Sequence, residues 1–390
     1  MTFASIPDAI QDFRQGKILV VVDDEDRENE GDLTIAADKI TPEAINFMAT
    51  HGRGLICLAL DAEICQRLDL QPMSPVNTAR FGTAFCEAID AAEGVTTGIS
   101  AYDRAHTIRV AMDPASKPQD LARPGHVFPL RARSGGVLVR SGQTEAAVDL
   151  AKLAGLTAGG VICEIMNEDG TMARVPQLTE FCRRYGIKMI SVADLIRHRL
   201  QTETLVEREA EGHIRTPYGE FNVLRYTSRL DGEAHLVLVK GEVKRKTNVL
   251  VRMHSHCVYG DVFGSVDCEC QRSIAAALQK ISNAGTGVFI YLHQTGPGLQ
   301  LAWREGHREL ITHGSAQQSV AASEHHQPAL QHEIGLGAQI LADLGLSTIR
   351  LLTNHPRKVV GVEAYGIQIV EQVPFAVDLA QEASPIETLR

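Results

Sequence analysis

Of the ten residues from Asp23 to Asp32 (DDEDRENEGD), seven are acids; the others are Arg27, Asn29 and Gly31. The run follows the apolar stretch Ile18–Val22, so the carboxylates gather where a buried strand ends. Acids crowded at such a place are costly without a cation to balance them. A hard divalent ion such as Mg²⁺ takes one or two carboxylates and completes its shell with water or substrate oxygens. Crowding also drives titrations apart, leaving one carboxylate as a base and another as an acid near neutral pH. A solvated acidic loop would have the same composition, so the run alone does not decide.

Three further features lie downstream. Arg140-Ser141-Gly142-Gln143-Thr144 joins an apolar run to a helical pattern, and helix-start amides beside an arginine suit a small phosphate. His126 sits in the proline-braced stretch Arg123–Leu130, read as a loop. Glu164 interrupts an otherwise apolar strand, where a carboxylate must be paired, metal-bound or functionally poised. The second half holds a different chemistry. Cys257, Cys268 and Cys270 put three thiols within fourteen residues, a spacing that suits Zn²⁺ and leaves a fourth position for water.

The elements that must carry these groups alternate along the chain. Ser5-Ile6-Pro7-Asp8 starts a helix running to about Gln15, and Thr41-Pro42-Glu43 starts another that stops near Gly52. Runs at 136–139, 160–163 and 189–192 read as strands, and Pro176 to Gly186 brackets a helix. The polar interval from Gln201 to Gly212 marks a boundary and is rich in helix formers. Beyond it, Asp231-Gly232 signals a hairpin, and strands are expected at 249–253, 288–292, 349–352 and 367–370. Helices are expected at 273–282 and from about 328 to 344.

Composition bounds the class. A chain of 390 residues, 44% hydrophobic and 22% charged, predicts two or three folded domains rather than disorder. Net charge −10, aromatics at 5% and a single tryptophan argue against a nucleic-acid binder. No apolar run approaches the ~20 residues of a membrane span. With no secretion signal, a cytoplasmic location is expected, and Cys57, Cys65, Cys86, Cys163 and Cys182 read as reduced core residues.

The first half resembles the 3,4-dihydroxy-2-butanone 4-phosphate synthases through DDEDRENEGD, AAEGVTTGIS (91–100), RPGHVFPL (123–130), TEAAVDLAKLAG (144–155) and NEDGTMAR (167–174). The resemblance implies Mg²⁺ (or Mn²⁺) chemistry on ribulose 5-phosphate, giving dihydroxybutanone phosphate and formate. It implies Glu28 as a metal carboxylate and Arg27 and Asp32 as substrate contacts. Arg140, Ser141, Gly142 and Thr144 match the phosphate loop, Ser141 replacing a glycine. His126 and Glu164 match catalytic positions, with Asp24 and Asp26 as further proton carriers. Gln143 stands where the family has its second metal ligand, a histidine.

The second half resembles GTP cyclohydrolase II through VRMHSHCVYGDVFGSVDCEC (251–270), LLTNHPRKV (351–359) and the 369–374 run. Here the departures fall on the chemistry. His256 replaces a glutamate, and Gln294-Thr295-Gly296-Pro297 lacks the glutamate and arginine of the nucleotide loop. Arg308 replaces a tyrosine, and His332 falls near an arginine position. Arg252, Thr353 and Lys358 match. A zinc-binding unit that does not hydrolyse GTP is therefore expected, and the histidines at 307, 313, 325, 326 and 332 read as solvent-facing.

The expected architecture is α/β (α+β): two different mixed-sheet domains, 1–205 and 206–390, assembling as a homodimer by family resemblance. The expected partner is a small sugar phosphate, with no nucleic acid and no membrane. A related lyase with another phosphorylated substrate, and a non-catalytic zinc-containing partner or regulator, are the competing readings.

Overall fold

A computed structural model describes residues 3–25, 27–79, 81–266, 268–293, 300–304, 307–311, 327–354 and 365–375. Asp26, the 294–297 loop, Lys358, His313, His325 and His326 lie outside the described residues. The chain divides into two compact units, Met1–Arg199 and Leu200–Arg390. Each is an α/β unit on a mixed seven-stranded sheet. No described helix is long and apolar enough to cross a membrane.

In the first unit the strands are β1 (Leu19–Val22), β2 (Gly31–Ala36), β3 (Cys57–Leu60), β4 (Ile89–Ala91), β5 (Leu121–Arg131), β6 (Gly159–Glu164) and β7 (Lys188–Ser191). Their order is β4-β5-β3-β6-β2-β1-β7. β1 pairs antiparallel with β2, so most of the acidic run, residues 23–30, is the connection of a hairpin that lies next to the edge strand β7. β1, β2 and β3 are buried at every position; β1 and β3 are apolar throughout, whereas β2 buries Asp32 and Thr34 among its apolar residues. The helix Gln143–Leu153 is buried from Gln143 through Ala151 and lies against this sheet.

Local chemistry explains the helix ends. Ser5 Oγ accepts from the Asp8 amide and Thr41 Oγ1 from the Ala44 amide, each meeting an orphan donor of a first turn. The helix from Pro42 is regular only to Phe47; Met48–Gly52 is a wider turn, closed by Arg53 at φ 69°.

Two readings are corrected. Residues 136–139 are not a strand: Gly136–Leu138 form a 3₁₀ turn, with Gly135 and Gly136 at φ 90° and 64°. The Asp149 carboxylate accepts from the Val137 amide and occupies the space a Cβ on Gly136 would need. His126 is not in a loop. It lies within β5, which runs through both prolines beside the short strand β4.

The second unit comprises β8 (Val206–Thr216), β9 (Gly219–Ser228), β10 (Ala234–Lys240), β11 (Val249–Ser255), β12 (Gly287–Leu292), the pair β13 (Gln300–Arg304) and β14 (His307–Ile311), β15 (Thr348–Leu352) and β16 (Gln368–Val373). The main sheet runs β16-β15-β11-β12-β10-β9-β8. β9 and β10 flank the Asp231-Gly232 turn as a hairpin. The charge-dense interval is not one helix: a helix ends at Thr202, and Val206–Gly212 belongs to the edge strand β8. Exposed charges along Glu207–Glu211 suit an edge that must not pair with other chains. The helices Cys270–Ala284 and Gln327–Asp343 complete the described unit.

Candidate active site and metal centre

Strand register assembles the first site. β2 and β6 place Asp32 directly opposite Glu164. The Ile165 amide donates to the Gly31 carbonyl, so Gly31 and Ile165 form a hydrogen-bonded pair and Asp32/Glu164 the adjacent non-bonded one. In that geometry the Cα atoms stand roughly 4.5 Å apart with side chains on one face. Burial, then Glu164, Glu28, Asp23 and Glu30, raise the Asp32 pKa well above the usual carboxylate range. Glu30 is raised too, first by burial and then by Glu28. Glu164 Oε2 accepts from the Leu55 amide at 2.8 Å.

The hairpin connection is organised by Asp23, whose side chain is fully buried. Asp23 accepts from Arg27 Nη1 at 2.6 Å and from the amides of Glu28 and Glu30. Arg27 also donates to Gln143 Oε1 at 2.9 Å, lies 3.1 Å from Glu28 Oε1 and stacks on the Phe81 ring. Arg174 ties the hairpin down through the carbonyls of Glu28 and Asn29. Arg27, Glu28 and Gln143 are thus brought together. Asp24 is exposed, its carbonyl accepting from the Arg27 and Asn29 amides.

The donor set fits a hard cation that also uses substrate oxygens. Asp32 feels the charge of four other carboxylates, an excess that Arg27 and Arg174 only partly offset. Glu28 and Gln143 would supply oxygen ligands, within the one or two protein groups that Mg²⁺ ordinarily takes, with Gln143 Oε1 here accepting from Arg27.

Arg140 bridges two segments. It donates to Glu145 Oε2 at 2.6 Å through Nη1, and to the Phe81 carbonyl and Thr83 Oγ1 through Nε and Nη2. Gly142 is the helix N-cap and makes no side-chain cap, so the amides of the first turn remain available to an anion. A Cβ at Gly142 would meet the Arg140 guanidinium. Ser141 is half-buried, and Thr144 is buried in the first turn.

His126 forms a separate pair. Its Nδ1 lies 2.7 Å from Asp90 Oδ2, and its amide donates to Asp90 Oδ1. Extending the β3/β5 register by two residues sets His126 level with Leu55, whose amide meets Glu164. Two strand spacings, roughly 10 Å, then separate the histidine from Glu164. Sequence reasoning missed Asp90, Asp23 and Glu145. An acid on the apolar run before AAEG was the available signal for Asp90; Glu145 carried none beyond standing five residues after Arg140.

In the second unit the Sγ atoms of Cys257, Cys268 and Cys270 lie within 4.8 Å of one another, Cys257 and Cys268 at 3.8 Å. Zn–S bonds of ~2.3 Å at tetrahedral angles require roughly 3.8 Å between sulfurs, so the set fits zinc. Asp261, also missed, accepts from the Cys257 amide, His254 Nε2 and the Tyr291 hydroxyl. These bonds hold its carboxyl below the usual range despite its burial. Arg252 donates to the Leu352 carbonyl and packs on Phe375. Arg308 lies in β14, His332 in the helix Gln327–Asp343, and Thr353 follows β15.

Comparison with known proteins agrees with this division. The family model described as 3,4-dihydroxy-2-butanone 4-phosphate synthase matches residues 7–198, and that described as GTP cyclohydrolase II matches 207–374. Riboflavin biosynthesis protein RibBA of Aquifex aeolicus (strain VF5) is 53% identical over 96% of this chain and 93% of its own. Its namesake from Bacillus mycoides (strain KBAB4) is 49% identical over 97% and 95%. Among solved structures, RibBX, a two-domain 3,4-dihydroxy-2-butanone 4-phosphate synthase from A. baumannii, covers 96% of this chain and 100% of its own. It does so at 40% identity and TM-score 0.76. A 3,4-dihydroxy-2-butanone 4-phosphate synthase in complex with two magnesium ions is 44% identical over 51% of this chain and 98% of its own, TM-score 0.50.

Fold and site therefore define a lyase domain of riboflavin biosynthesis fused to a GTP cyclohydrolase II domain. The chain belongs to the RibBA family of riboflavin biosynthesis proteins.

Proposed function

We propose that the first unit converts D-ribulose 5-phosphate to 3,4-dihydroxy-2-butanone 4-phosphate and formate, using Mg²⁺ (or Mn²⁺) held by Glu28 and Gln143, in a cytoplasmic homodimer. The carrying observation is the buried Asp32 opposite Glu164 within a crowd of carboxylates. Burial and the neighbouring carboxylates raise the Asp32 pKa, which suits Asp32 to carry a proton beside Glu164 on one face of the sheet. Glu164 takes the proton beside the substrate carbonyl, and Asp32 donates to a departing hydroxyl. When bound, the divalent ion supplies Lewis acidity toward the substrate's oxygens as enediolate charge develops. His126, oriented through Nδ1 by Asp90, moves a further proton with its other nitrogen. Arg27 orients Gln143 and Glu28, while the Ser141–Thr144 amides and Arg140 hold the phosphate.

Formate release during an Mg²⁺ titration tests this, with Gln143→His assayed alongside. Metal-dependent formate from the natural protein supports the reading. No product at any metal level, with activity appearing in the histidine variant, overturns it.

The second unit, on the same proposal, holds Zn²⁺ through Cys257, Cys268 and Cys270 and does not hydrolyse GTP at a useful rate. Supporting this is His256, an imidazole where the family carries a glutamate beside the first metal cysteine. Formate and a diaminopyrimidine from GTP at ordinary enzymatic rates would refute it.

A further inference from the structure

Two buried carboxylates on one helix face have no place in the reaction proposed above. Glu145 and Asp149 stand one turn apart on the helix Gln143–Leu153, so they share a face. Like charges at this spacing repel each other, and burial adds to the cost. Each is met by an arginine of its own. Arg140 Nη1 lies 2.6 Å from Glu145 Oε2, and Arg199 Nη1 lies 2.7 Å from Asp149 Oδ2.

Each carboxylate also captures one backbone amide of the segment that leads into the phosphate loop. Glu145 Oε1 accepts from the Arg133 amide at 3.0 Å, and Asp149 Oδ2 from the Val137 amide at 2.8 Å. Arg199 adds a third tether by donating to the Gly135 carbonyl at 2.8 Å. Residues 133–137 are thereby pinned to the helix at both ends. The pinning reaches the loop through the backbone, because the Arg140 amide donates to the Gly136 carbonyl at 3.0 Å. Two glycines make room for it: a Cβ on Gly136 would meet the Asp149 carboxylate, and one on Gly142 would meet the Arg140 guanidinium and Glu145 Oε2. Asp149 is kept at a cost. Burial pushes its carboxyl up to about 6 in spite of Arg199, so above that pH the fold holds an ionised group against its own stability. That points to a use for the pair beyond packing.

We propose that Asp149 and Arg199 are positioning residues for the phosphate of the substrate. They fix the 135–137 turn, and through it the Arg140 side chain and the 141–144 amides, and they touch no ligand themselves. This rests on the proposed use of that loop for a sugar phosphate.

The test is formate release by the full chain against ribulose 5-phosphate concentration, with inorganic phosphate as a competing anion. Arg199→Met should raise the KM and the phosphate inhibition constant together, each about tenfold, and leave kcat within about threefold, because the phosphoryl group does not itself react and is held alike before and during the reaction. Arg199→Lys keeps the charge and should recover most of the affinity. The double variant, Asp149→Asn with Arg199→Met, removes both charges, so no buried charge is left unpaired and the chain folds. It should keep the raised constants. A pair that serves folding alone predicts fewer active molecules and a lower apparent kcat, with KM and the inhibition constant unchanged. That result in either methionine variant overturns the proposal, as does loss of folded protein in both. If the natural protein releases no formate, the proposed reaction fails by itself, and calorimetric binding of ribulose 5-phosphate carries the same comparison. No binding by the natural protein overturns both readings.

Discussion

The two units use one kind of scaffold, a mixed seven-stranded sheet with chemistry near the ends of central strands, and they hold that chemistry in different ways. In the first, the groups are hard and charged, and they are spread over separate elements. Asp32 and Glu164 come from neighbouring strands, Glu28 from a hairpin connection, Gln143 from a helix and His126 from a strand two places further along. In the second, the three thiols lie within one short segment, and two of them sit at the start of a helix. A site gathered within one segment keeps its donor geometry when more distant residues change. A site spread over five elements needs each of them in register. This contrast explains how a cysteine set can persist beside an altered nucleotide loop while the acid site keeps nearly all its groups.

Four experiments would break or sharpen the comparison. The largest effect should come from Glu164→Gln or Glu28→Gln, each lowering formate release by about 10³-fold or more while leaving metal bound to the cysteines unchanged. If either variant retains half its activity, the spread-out site has been misassigned. Replacing Cys268 with serine should lower the thermal midpoint of the second unit by about 5 °C or more. Formate release should meanwhile stay within about twofold of the natural protein; a parallel collapse would show that the two sites are not independent. Gln143→His should reduce the Mg²⁺ needed for half-maximal activity about tenfold, measured by titration of the initial rate.

The smallest effect concerns pH. Burial pushes the Asp149 carboxyl up to about 6, against the opposing pull of Arg199. Its pKa is raised on folding, so its stabilising contribution is complete below the ordinary carboxylate value and is lost as pH rises through about 6. Asp149→Asn should flatten the fall in stability across that window by the equivalent of about one proton, read from denaturant midpoints at successive pH values.

Much of this was legible in residue order. Ser5 and Thr41 announce their helices because a side-chain cap is a local interaction. The cysteine cluster was legible because its three thiols are close in sequence. Asp32 and Glu164 each stood out alone, but their pairing depends on strand register across 132 residues, which local pattern does not encode. The acidic run also masked the start of β2, since seven charges outweigh the strand propensity of Leu33–Ile35. Gly136–Val139 misled for a related reason. An apolar run reads as a strand unless the distant Asp149, which captures the Val137 amide, is known to be there.

The Arg140 bridge has a consequence for how an anion would arrive. A guanidinium has five N–H groups. Among the described residues, Glu145 takes one from Nη1, while the Phe81 carbonyl and Thr83 hydroxyl engage Nε and both hydrogens of Nη2. One N–H is left, so a phosphate can collect a second only by trading with Thr83 or Phe81. On the proposed function Arg140 would thereby work as an exchange point, and the Phe81–Thr83 turn, whose aromatic ring also covers Arg27, would register the arrival of phosphate.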